Sequence, residues 1–217
     1  MKPLRFLPLA LLLVLAGCSS AYYGAMEKFG VAKREILVDR VDASRKAETA
    51  AKEQFASALE HFLAVTKVDG GDLLKKYNDL NRELKRSEDR AKEVHDRIAA
   101  VEDVAEVLFR EWKQELGQYS SATLRNESQR ELDATRRRYD TLVRLMHRAA
   151  DRMDPVLDTF RDQVLFLKHN LNARALASLD TTNRTLDADV SQLIRDMEAS
   201  IHEAESFIKN LSATPAQ

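Results

Sequence analysis

Residues 77–112 read YNDLNRELKRSEDRAKEVHDRIAAVEDVAEVLFREW. Stepping alternately by three and four from Tyr77 lands on Tyr77, Leu80, Leu84, Ser87, Ala91, Val94, Ile98, Val101, Ala105, Leu108 and Trp112. Ten of these eleven are apolar, where a chain with 44% hydrophobic residues would give about five by chance. That is a heptad seam, the mark of long helices packed side by side. Val104 and Val107 widen it toward a broader apolar face, as a bundle requires. Leu108 and Trp112 are expected to be buried in it.

The same spacing recurs on both sides. An earlier segment carries Leu37, Val41, Ser44, Glu48, Ala51, Phe55, Ala58, Phe62 and Val65. A later one carries Tyr139, Leu142, Met146, Ala149, Met153, Val156, Phe160, Val164, Leu167 and Leu171. The last carries Leu186, Val190, Leu193, Met197, Ile201, Ala204, Ile208 and Leu211. The third and fourth seams each contain one step of four where three is due, so a local straightening of the supercoil is expected there. Between the segments, Asp69-Gly70-Gly71-Asp72 supplies a turn and an N-cap, and Gly117 ends the second helix. Ser128 through Glu131 has capping-box spacing for the third helix, with Ser121 as a rival start. Asn172 marks the last turn, and Pro155 is expected to kink the third helix. Short connections make neighbours antiparallel. The expectation is an all-α fold, an elongated antiparallel bundle of four long helices with coiled-coil-like seams, spanning residues 26–211 with a tail at 212–217.

Composition agrees. Only 6 Gly, 4 Pro and 6% aromatic residues in 217 disfavour a β-sandwich or barrel, and 32% charged residues alongside the apolar content exclude a disordered chain. The formal net charge of −1 leaves no cationic excess for nucleic acid. Arg136-Arg137-Arg138, with Glu131, Asp133 and Asp140 within a turn or two, reads as a solvated helix face.

The chain starts MKPLRFLPLALLLVLAGC. Lys2 and Arg5 precede ten residues from Phe6 to Leu15 that are apolar apart from Pro8, too short to cross a bilayer, which needs about 20. This is the pattern of a signal peptide over residues 1–17. Leu15-Ala16-Gly17-Cys18 looks like a lipobox: small residues admit the peptidase, and the Cys18 thiol takes the lipid. Cys18 is the only cysteine, so no intramolecular disulfide or cysteine metal site exists. Residues 18–25 then form the lipidated tether, and several acyl chains on Cys18 would hold the protein to a membrane. Ser19 after the cysteine points to the outer membrane, facing the periplasm.

With these segments laid out, the mature chain resembles an uncharacterised family of bacterial predicted lipoproteins over roughly residues 22–210. The resemblance rests on FGVAKREILVDRV (29–41), KEQFASALEHF (52–62), GGDLLKKYNDLN (70–81), VEDVAEVLFREWKQEL (101–116) and DQVLFLKHNLNARA (162–175). It implies a single helical domain and brings no activity, cofactor or catalytic residue.

Motifs for chemistry are missing. No histidine has the Glu three residues before it that a di-iron bundle uses, and no CxxCH, HExxH, GxSxG or GxxxxGK[ST] occurs. No enzyme activity, cofactor or metal is expected. One stretch stands out: Val164 to Leu167 is apolar on all sides, implying deeper burial or a partner surface. It runs into Lys168, His169, Asn170, Asn172 and Arg174, which antiparallel packing puts beside Asp69 and Asp72. These five residues are either caps and local ion pairs or a docking site. The resulting expectation is a lipid-anchored, non-enzymatic spacer or adaptor that presents its far end to a periplasmic protein or the cell wall. The alternative is a module holding a small ligand or metal between helices. Self-association is compatible with either.

Overall fold

The structure is a computed structural model that describes residues 33–66, 72–170 and 173–213, with side chains through Val65 in the first stretch and from Arg184 in the last. The expected signal peptide, Cys18, Asp69 through Gly71 and Asn172 lie outside the described residues. Four helices account for the described chain: α1 (Lys33–Thr66), α2 (Leu73–Glu115), α3 (Ala122–His169) and α4 (Ala173–Ala213). They hold 34, 43, 48 and 41 residues. At 1.5 Å per residue α3 alone is about 70 Å long.

The boundaries follow from local chemistry. The Asp72 carboxylate accepts the Lys75 amide at 3.0 Å and opens α2 as an N-cap. α2 does not stop at a left-handed glycine. The Leu116 amide still donates to the Trp112 carbonyl, and Leu116–Gln118, Gly117 included, form a 3-10 turn. Ser121, the rival start, caps α3 by accepting the Leu124 amide at 3.4 Å. Ser128 lies inside the helix instead, and its hydroxyl accepts the Trp112 indole N–H at 2.8 Å, tying α3 to the end of α2. α3 runs through Pro155 without interruption, with Thr159 Oγ1 donating to the Pro155 carbonyl at 3.0 Å.

Cross-helix bonds fix direction. Lys33–Glu111 (2.7 Å) and Gln54–Glu83 (2.8 Å) join α1 to α2 in antiparallel order. His147–Glu102 (2.9 Å) and Arg161–Glu88 (2.7 Å) do the same for α2 and α3. Arg152–Asp196 (2.6 Å) joins α3 to α4, while Lys52–Glu198 and Arg45–Glu205 join α4 back to α1. Each helix therefore packs on its two chain neighbours, with α4 closing the square on α1. The result is an up-down-up-down rod. One end holds the start of α1, the α2–α3 connection and the end of α4. The other holds the end of α1, the start of α2, the end of α3 and the start of α4.

The seams form the core. Leu80, Leu84, Ala91, Val94, Ile98, Val101 and Ala105 of α2 are buried, and Phe160 of α3 stacks on Phe62 (4.4 Å between centroids) and Phe55 (6.4 Å) of α1. Two expectations need correction. Leu108 and Trp112 are half-buried, and Val107 and Phe109 take the inward positions near that end. The two apparent skips in α3 and α4 are filled by buried polar residues, Gln163 and Ser200, which restore a strict heptad. Buried Phe207 likewise replaces the half-buried Ile208. No straightening is called for.

Candidate functional site

At the far end of the rod, α3 finishes on the residues singled out above. Val164 and Leu167 are buried, whereas Leu165 is 52% exposed and Phe166 40% exposed. Lys168 and His169 follow, both exposed, and neither makes an ion pair with a described residue. Asn170 closes the helix: its amide donates to Leu167 O at 3.2 Å and its side-chain Nδ2 to Phe166 O at 2.9 Å. Asn170 is thus a cap. Arg174 lies in the first turn of α4, and its side chain, like Asn172, is outside what is described. Asp72 is committed to capping α2. Leu74, 56% exposed in the first turn of α2, belongs to the same end of the bundle. The arrangement offers two exposed apolar side chains and, beyond buried Leu167, an exposed lysine and histidine. It is suited to recognising a partner surface.

A second constellation lies inside the rod. Ser44 and Glu48 on α1 and Ser200 on α4 are fully buried. Neither carboxyl oxygen of Glu48 has a hydrogen bond, nor does either serine hydroxyl. Burial pushes the Glu48 carboxyl up to about 7; the nearby Ser200 hydroxyl opposes this, from a geometry looser than a hydrogen bond. Gln163 is buried in α3 with its amide equally unpartnered. A pure spacer needs none of these groups, since an apolar residue at each position would bury without penalty. Ser44 and Glu48 were visible in the first seam. Ser200 and Gln163 carry no apolar signal, and a count of apolar residues steps round them.

Elsewhere the surface is laced with ion pairs of the i,i+3 and i,i+4 kind, such as Arg45–Asp42, Arg86–Glu83 and Arg90–Glu93. Arg136 lies over the Phe109 ring, 5.5 Å from its centroid. Among the described residues no group of three His, Cys, Asp or Glu is placed to hold a metal, and no helix is long and apolar enough to cross a membrane.

Comparison with known families gives a match over residues 22–211 to DUF2959, described as a protein of unknown function. The chain belongs to this family. The DUF2959 match covers all four helices and treats them as one unit, in keeping with the closed square of packing. No curated protein and no solved structure matches the chain.

Proposed function

We propose that this member of the DUF2959 family is a lipid-anchored cell-envelope protein that works without enzymatic chemistry, as a helical spacer or adaptor for a periplasmic partner. Cys18 carries the lipid in this reading, on the strength of Leu15-Ala16-Gly17-Cys18 after a short apolar run. Ser19 favours the outer membrane. The observation that carries the adaptor role is positional. The N-terminal chain enters the rod at Lys33, and exposed Leu165, Phe166, Lys168 and His169 sit at the opposite end. In this reading the start of α1 and the recognition surface stand about a helix length apart, which suits a spacer.

The test has two arms. Cys18→Ser should leave an unprocessed precursor that takes up no labelled fatty acid; unchanged processing and acylation would remove the anchor. Replacing Leu165 and Phe166 by Ser and Lys168 and His169 by Ala should reproduce the deletion phenotype with localisation and melting unchanged. Full function in that variant would remove the adaptor role. A second reading, a small polar ligand held between the helices, draws on the unpartnered Ser44, Glu48 and Ser200. Native mass spectrometry separates it: a bound species in one-to-one ratio favours the ligand.

A further inference from the structure

The ends of the rod differ from its sides. Among the described residues every exposed large apolar side chain lies near one end or the other. Leu74, Leu165 and Phe166 belong to the far end. Tyr119 and Leu124, 39% and 50% exposed, belong to the end at which α1 begins. The stretch that carries these two is unusual in charge as well. Residues 116–124 read LGQYSSATL, nine in a row without a charge in a chain that is 32% charged. No longer uncharged run occurs among the described residues. Leu116 is buried and Ser121 caps α3, while residues 117–120 and 122–124 are exposed. The last turn of α4 finishes at this same end with residues 210–213, also uncharged.

Position, charge and size say what meets this foot. The Lys33–Glu111 pair, 2.7 Å, brings the start of α1 beside the end of α2. Fourteen residues, 19–32, separate Cys18 from α1 and span at most about 50 Å when fully extended. A bilayer holding an acylated Cys18 is therefore within reach. Lys113 and Glu115 precede the uncharged run and Arg125 and Glu127 follow it, all exposed, so the flanking charges cancel and select no charged partner. Two apolar side chains fall far short of the roughly 800 Å² that each partner gives to a stable protein interface. Beside a covalent anchor they need only partition locally. Tyrosine suits the headgroup level, with its ring apolar and its hydroxyl wet.

We propose that the α2–α3 connection is a second contact with the bilayer that holds the protein, Tyr119 and Leu124 lying among the lipid headgroups. The contact rests on Cys18 carrying lipid, as proposed above. A tether alone leaves the rod free to swing. A foot in the interface fixes its tilt and holds Leu165 and Phe166 away from the lipid. Because the flanking charges cancel, the contact is indifferent to lipid charge.

The test uses the full lipidated chain reconstituted into vesicles of phosphatidylcholine, with and without phosphatidylglycerol. Acylation blocks the native thiol, so a nitroxide attaches only to an engineered cysteine. Thr123→Cys places it in the foot and Arg144→Cys midway along α3 as a control, both at exposed positions. Power saturation in electron paramagnetic resonance reads collisions with oxygen, which concentrates in lipid, and with a nickel chelate confined to water. At position 123 nickel collisions should fall and oxygen collisions rise relative to position 144, equally in both kinds of vesicle. Tyr119→Ser with Leu124→Ser should return the label at 123 to the control values with melting unchanged. A label at 123 as open to nickel as the control, in a chain that floats with the vesicles, would overturn the foot and leave the anchor standing. Loss of both kinds of collision would mean a protein cover, such as residues 19–32 lying over the loop, and would overturn it too. A chain that takes up no lipid and does not float would remove the anchor, and this contact with it.

Discussion

Glu48 gives the sharpest quantitative prediction. Its carboxyl is fully buried with no hydrogen bond, and its pKa rises from the ordinary 4.5 to about 7 because burial disfavours the charge. The folded state therefore holds this proton more tightly than the unfolded chain does. Below about pH 4.5 the group is neutral in both states and carries no penalty. As pH rises toward 7 the unfolded chain ionises first, and stability falls; above 7 the loss is complete. A shift of that size corresponds to about 3 kcal/mol at about 1.4 kcal/mol per unit. Asp42 works in the opposite sense: hydrogen bonds from Lys46 and Arg45 lower its pKa, so its contribution is lost only as pH falls below the usual carboxylate range. The clean comparison is thus wild type against Glu48→Gln, by urea denaturation at steps from pH 5 to pH 8.5. The uncharged variant should gain on the wild type with rising pH, by about 2.5 kcal/mol across the series, since the unfolded carboxyl is already partly ionised at pH 5. A stability difference that stays flat from pH 5 to pH 8.5 would refute the reasoning.

Two further outcomes follow from the packing. Phe160→Ala removes the ring stacked on Phe62 and Phe55 and should cost about 3–5 kcal/mol, whereas Leu108→Ala, at a half-buried position, should cost clearly less; thermal or urea melts check both. Ser121→Ala removes the α3 cap and should cost about 1 kcal/mol, with hydrogen exchange accelerated in the first turn of α3 and unchanged at its far end.

The fold was legible because apolar periodicity is a physical necessity for helices that bury one stripe. Leu80 through Ala105 alone sets the spacing and the buried face. Apolar counting misleads where a polar residue takes an inward position. Gln163 and Ser200 look like skips in an apolar count, yet they sit in the seam and keep its period intact. Near Trp112 the α2 seam drifts to Val107 and Phe109, because the packing there brings in Tyr139, 5.2 Å from Phe109. Of the far-end cluster, Asn170 resolves to a cap, while the exposure of Leu165 and Phe166 could not be read from an all-apolar run.

A spacer must hold its two ends apart, and the distance along α3 tests this most directly. Leu124 and Leu165 are both exposed and lie near opposite ends of that helix. Spin labels on Leu124→Cys and Leu165→Cys, with the lone native thiol removed by Cys18→Ser and the sample diluted with unlabelled protein, report the distance within one chain by pulsed electron paramagnetic resonance. An unbroken helix through Pro155 predicts a single narrow distribution at about 60 Å, from 1.5 Å per residue. A shorter or broad distribution would mean that α3 folds back or hinges, and would contradict the rod.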